Sequence, residues 1–491
     1  GKLTYELIRI NLPGALPHVV TLNRLISNSN HNINEGEFQF DRLKQYLNSN
    51  DVQFGFVSED CTGVICKIKY DVNTNSFIGF STPLDNGIPL LQYYQTDSFE
   101  KLKTWFSTIK KAPLFNIHMF QPLPSSHTSL PSPFLLSAYG VENTYTTNDI
   151  LRRWLFIYEC CIKKQIRIIG FSSDADSKYM RAMRLVSGFF ATLPDFKLHQ
   201  HPNAFKLNLT SKWCWFYLRQ EQLFLFLQDP THLVTKWRNR LLSSTVQLCI
   251  GQQIITIEHL RDIIESRQYT KLDHNLIRTD INPKDHQKLS LIITTYIQTT
   301  TSLKTRLKSA WIIVFVCRLR LAWLKNKIFK NQSSTPINKD KYFITRTAYL
   351  SVELNAHNLL FLILLVQQKQ LPKDSLHIFL FNSQSCEGMF RNARSLSGAY
   401  STIVNFTTHH FLRHDVDYLD IEQVISETYE ASVELIENLG ITALLKKQQI
   451  YKIEKLSEFI FNELNSMSKV YDNLTGKIHD DDDMNSESDD L

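Results

Sequence analysis

The sequence predicts an α/β fold, a mixed sheet flanked by helices and interrupted by a largely helical insertion. Three observations predict it. Short apolar runs alternate with segments of helical period between residues 51 and 242. The run Ile166 to Phe171 (IRIIGF), apolar but for Arg167, reads as a buried strand. Acidic residues recur where such runs end, which is where an α/β sheet presents side chains to a ligand.

Taken in order, Val52 to Glu59 (VQFGFVSE) predicts a strand ending in acids. Val64 to Tyr70 and Phe77 to Phe80 flank Asp71–Asn75 (DVNTN), whose Asp and Asn residues favour a turn, so a hairpin is expected. Leu114 to Gln121 is a further apolar run, and Pro122 to Pro133 (PLPSSHTSLPSP) reads as a linker. From Asn148 to Lys164, Ile150, Leu151, Trp154, Leu155, Ile157, Tyr158 and Cys161 recur at helical spacing, with Asn148 or Thr147 as cap. The strand Ile166 to Phe171 follows, then a helix from Lys178 to Phe189. Gln222 to Leu227 (QLFLFL) is another buried strand, ending at Asp229. Three early strands, helix, strand, helix, strand, helix is the ribonuclease-H-like order.

Composition bounds the rest. At 43% hydrophobic and 12% aromatic, 491 residues exclude general disorder and suffice for two or three cores. The divisions expected are a helical segment over 1–50, the first part of the core over 51–242, a helical insertion over 243–341, the rest of the core over 342–415, a helical region over 416–478 and an acidic tail over 479–491. That tail holds seven acids. The remaining 41 acids face all 54 Lys and Arg, so the formal +6 conceals a body at +13, suited to polyanions. None of the eight cysteines forms a CxxC, and their scatter reads as reduced thiols of an intracellular protein. His199 and His201 read as surface residues. No apolar run reaches membrane-spanning length, so no membrane partner is expected. Opening on Gly1, the chain reads as a fragment.

The carboxylates carry the chemistry. Glu59/Asp60 follow the first strand, Asp174/Asp176 the strand after the helix, and Asp229 the last. The first and fourth strands of this fold are neighbours, so an acid on each sets hard oxygen ligands close together, as Mg²⁺ or Mn²⁺ requires. Two such ions about 3.5–4 Å apart support in-line phosphoryl displacement. A third acid must come from a later helix. Glu387, in Ser383-Gln384-Ser385-Cys386-Glu387-Gly388-Met389-Phe390-Arg391-Asn392-Ala393-Arg394-Ser395, fits: Asn382–Ser385 caps the helix, Met389, Phe390 and Ala393 pack it down, and Arg391 and Arg394 reach for backbone phosphate.

Four segments resemble those of P-element-type DNA transposases, the family that includes genes in which a THAP zinc finger precedes the transposase. Phe226 to Leu242, with Asp229, Pro230, His232, Leu233, Lys236, Arg238 and Asn239, is similar to the family's D-P-P-H-L segment. Ser58-Glu59-Asp60 with the hairpin after it resembles the first-acid strand, Ile168 to Asp174 the second, and Cys386 to Gly398 the third-acid helix. The likeness spans about Asp51 to Leu412. It implies that Asp60, Asp174 and Glu387 are catalytic and metal-binding acids, with double-stranded DNA, transposon ends and target alike, as partner, a nuclear location, and a homo-oligomer as an option. Glu59-Asp60-Cys61 inverts the family's order of acids, so Glu59 competes with Asp60. Asp176 competes with Asp174, and Asp229 and His232 are secondary candidates. The resemblance alone implies GTP binding by the insertion, which holds no GxxxxGK[ST] loop. From the residues, the insertion reads as helical and basic. Arg318, Arg320, Lys325 and Lys327, interleaved with Trp311, Trp323 and Phe329, join Lys236 and Arg238 as expected phosphate contacts. The competing class is a domesticated, catalytically silent DNA- or chromatin-binding protein.

Overall fold

The computed structural model describes residues 34–124 (except 73 and 92), 131–191 (except 175), 197–209, 213–242, 249–250, 253–254, 292, 295–298, 301–330, 344–396, 421–437 and 441–466. Residues 1–33 and 467–491, including the acidic tail, lie outside them, as does most of the expected insertion before residue 292. The chain is mixed α/β and divides into two compact units, Gly1–Pro122 with Pro131–Arg167 and Ser383–Thr407, and Leu123–Leu130 with Ile168–Asn382 and Thr408–Leu491.

In chain order the main strands are β1 (Phe54–Gly63), β2 (Leu114–Pro122), β3 (Phe134–Val141), β4 (Arg167–Ser173) and β5 (Leu225–Gln228). The helices are α1 (Phe40–Ser49), α2 (Phe99–Thr108), α3 (Thr147–Lys163), α4 (Ser177–Ser187), α5 (Pro230–Leu242), α6 (Leu303–Lys330), α7 (Arg346–Gln367), α8 (Gln384–Leu396), α9 (Ile421–Glu437), α10 (Ile441–Lys447) and α11 (Ile453–Ser466).

In the first unit, β1 pairs antiparallel with β2, and β2 with β3. The hairpin expected around Asp71–Asn75 forms between Lys69–Asp71 and Ser76–Ile78, its turn closed by Asn75 at φ +51°. Two expectations need correction. β3 was not foreseen, because FLLSAYGV emerges directly from Pro/Ser-rich sequence and alternates poorly. The acids do not end β1 either: Cys61, Thr62 and Gly63 continue its ladder opposite Asn116, Phe115 and Leu114. Helix α3 starts one residue earlier than expected. Thr146 is its cap, accepting from the Asp149 amide at 3.3 Å while the Asp149 carboxylate accepts from the Thr146 amide at 2.7 Å.

In the second unit, β5 runs parallel to β4, with Gln228 opposite Ser173. The edge of β5 is covered by α7, whose asparagines imitate a strand. Asn355 accepts from the Gln228 amide at 2.8 Å and donates to its carbonyl at 3.0 Å, and Asn358 accepts from the Phe226 amide at 3.1 Å. Helix α7 is long and apolar enough to cross a membrane, yet the unit buries it on every side from Ala348 to Val366. That is the packing of a core helix.

Candidate active site

Successive side chains on a strand point to opposite faces, so neighbours Glu59 and Asp60 on β1 cannot serve one purpose. On Asp60's face lie Ile117, its partner across the ladder, with Met119 and Ala138. Helix α8 packs there through Cys386 and Phe390. Ser58 fixes the seam: its hydroxyl lies 3.0 Å from that of Ser385 and 3.3 Å from the Cys386 thiol. Glu387 follows at once in the first turn of α8. Carboxylate oxygens of Asp60 and Glu387 come within 4.8 Å of each other. Burial pushes the Cys386 thiol well above its ordinary pKa, reinforced by the charges of Asp60, Glu59 and Glu387. The strand places one acid, the helix the other, and a small polar seam sets their separation.

Glu59 faces the opposite side and is fully buried. Arg153 pairs with it, Trp154 Nε1 donates to it at 2.8 Å, Asn116 donates at 3.0 Å, and His118 stands 3.4 Å away. Burial alone would raise the Glu59 pKa, but Arg153 and His118 hold it far below the carboxylate range. His118, likewise buried, has its pKa lowered, burial outweighing Glu59. With its oxygens engaged in this clamp, Glu59 is a core anion rather than a competitor of Asp60. The sequence carried one signal of this: Arg153 interrupts the apolar stripe Ile150, Leu151, Trp154, Ile157, and an arginine on a buried face needs an anion.

In the second unit, Asp174 and Asp229 directly follow the paired ends of β4 and β5, and the Asp229 amide donates to Ser173 at 3.0 Å. Their side chains differ in use. Asp229 is buried and accepts from the Thr231 and His232 amides at 2.6 and 3.2 Å, which fastens the first turn of α5. Asp176 caps α4, accepting from the Lys178 amide at 2.7 Å. Asp174 is half-buried, its pKa pushed up to about 6 by burial and by Asp176, with His232 and Lys236 opposing.

The expected phosphate contacts on α6 are corrected by burial. Arg318 is fully buried, forked onto Glu353 at 2.8 and 2.7 Å, and lies 4.4 Å over the Tyr217 ring. Lys325 pairs with Glu463 at 2.5 Å and Arg320 is 4% exposed. Of the aromatic residues expected beside them, Trp311 and Trp323 are buried, Trp311 bordering the Arg318 guanidinium, and the Phe329 side chain lies outside the described residues. Of the remaining candidates Lys236 is half-buried, and the side chains of Arg238, Lys327, Arg391 and Arg394 lie outside the described residues.

No protein family and no curated protein matches this sequence. Among solved structures, the chain is similar to a Drosophila P element transposase strand transfer complex, at 11% identity and a TM-score of 0.40, over 90% of each chain.

Proposed function

We propose that this chain is a DNA transposase, or derives from one, with Asp60, Asp174 and Glu387 as the acids that hold Mg²⁺ or Mn²⁺. The observation that carries the reading is the approach of the Asp60 and Glu387 carboxylates within 4.8 Å. At an effective dielectric near 20, two charges at that distance repel by roughly 3 kcal/mol. Hard oxygen donors placed this close suit a hard divalent ion. The motif resemblance around all three acids supports the same assignment.

Bound there, the metal would activate the attacking oxygen and stabilise the leaving one. The protein's own part is placement. Ser58, Ser385 and Cys386 hold Glu387 over β1 beside Asp60. In the second unit, the Asp229 and Asp176 caps fix the starts of α5 and α4 around Asp174. Lys236 supplies a positive charge on α5 suited to a backbone phosphate. The proposed substrate is double-stranded DNA, element end and target.

The test is single-turnover cleavage and joining of labelled terminal-repeat DNA in Mg²⁺ or Mn²⁺. The unmutated chain should cut, and Asp174→Asn or Glu387→Gln should bind the same DNA without cutting it. Cleavage that survives Glu387→Gln sinks this site. An unmutated chain that binds but never cuts would favour the silent DNA-binding protein instead.

A further inference from the structure

Nine of the ten large apolar side chains that stand exposed among the described residues lie between residues 64 and 106 of the first unit. They are not scattered singly. Tyr70, half exposed, lies 5.3 Å from Phe77, and Phe77 lies 6.1 Å edge-on to Phe106, which is 53% exposed. Phe106 shares its face of α2 with Lys103 and, two turns or roughly 10 Å back, with Phe99 at 74% exposed. The hairpin and α2 thus present exposed rings, with exposed Lys103 between Phe99 and Phe106 on the helix.

We propose that this surface binds single-stranded nucleic acid, unpaired bases stacking on Tyr70, Phe106 and Phe99 while Lys103 meets the backbone. Two features separate this from docking of a second copy. Protein interfaces are depleted of lysine at their centres, and here Lys103 stands between Phe99 and Phe106. Stacked bases need exposed rings with a cation beside them, which Phe99, Lys103 and Phe106 supply. The inference is independent of the metal site.

The test uses the full chain and a fluorescein-labelled oligothymidine of about twelve nucleotides, within the site size of such surfaces. Anisotropy should report binding, and Phe99→Ser should weaken it about five-fold or more while duplex affinity holds. Lys103→Ala should lower the salt slope by roughly 0.7. Both positions are exposed, and unchanged melting curves verify that the variants fold. Asp174→Asn should bind oligothymidine like the unmutated chain, which separates this surface from the proposed active site. Oligothymidine affinity unaltered in Phe99→Ser overturns the proposal. So does sedimentation showing that Phe99→Ser splits an oligomer while oligothymidine binding stays constant, since the face would then join two copies.

Discussion

Glu59 and Asp60 are adjacent on one strand, both almost wholly buried, and the fold uses them in opposite ways. Glu59 points into a face where Arg153, Trp154, Asn116 and His118 converge on it, and its charge is compensated in full view of the core. Asp60 points to the face where α8 brings a second acid within 4.8 Å. Burial is common to both, so burial alone does not mark a site. What separates them is the sign of the neighbour. A cation beside a buried carboxylate favours its charged form, and a second carboxylate beside it disfavours that form.

The widest separation should appear in catalysis. Asp60→Asn is expected to reduce metal-dependent cleavage by about 10⁴-fold, as removal of one member of a group acting as a unit does. Isothermal calorimetry with Mn²⁺ should show weakened binding in the same variant. Equal cleavage by Asp60→Asn and the unmutated chain would erase the distinction between the two faces.

The opposite face should fail by unfolding. Arg153→Met leaves Glu59 buried without its main counter-charge, which should lower stability by about 3–5 kcal/mol in urea titration. Adding Glu59→Gln should recover much of that, because the stranded charge goes too. Arg318→Met should behave likewise through Glu353, and the salt slope of DNA binding should not move, since that guanidinium is inside the unit. A reduced slope would restore α6 as a phosphate surface.

Much of this was legible in the sequence, and the failures share a cause. Helix α3 announces itself through the 3.6-residue recurrence of Ile150, Trp154 and Ile157, and the acids fall near strand ends because β4 and β5 end at Ser173 and Gln228. Period two also guarantees that Glu59 and Asp60 part company. It does not say which face receives α8 and which α3, because those helices lie far off in sequence. The basic helix misled for the same reason. Arg318, Arg320 and Lys325 look like a phosphate track until Glu353 and Glu463, on other helices, are brought to them. Rings near a charge are as compatible with a core box as with a nucleic acid, and only burial tells which.

Asp176 sharpens the comparison on the second unit. As cap of α4 it should tolerate Asn, itself a good cap, while Asp176→Ala should lose about 1 kcal/mol of stability with cleavage chemistry retained. A cleavage defect in Asp176→Asn equal to that of Asp174→Asn would make both acids ligands.

The smallest effect is the pH dependence of Asp174→Asn measured without metal. In the folded chain Asp174 titrates near 6, above its ordinary value of 3.8, because burial and Asp176 disfavour its charge. Below about pH 3.8 it is neutral whether folded or unfolded and contributes no difference. Between 3.8 and 6 the unfolded chain gives up the proton while the folded one keeps it, so stability declines as pH rises through that window. Above 6 the full penalty is present. Its ceiling is about 3 kcal/mol at 1.36 kcal/mol per pKa unit, and water at a half-buried carboxyl reduces that to about 1. Asp174→Asn should therefore melt roughly 2–4 °C higher than the unmutated chain at pH 7.5, and together with it at pH 4. Divalent metal should narrow the gap at pH 7.5 by stabilising only the chain that keeps the carboxylate. A variant that melts lower at pH 7.5 would mean that Asp174, like Glu59, is held by a cation that already satisfies it.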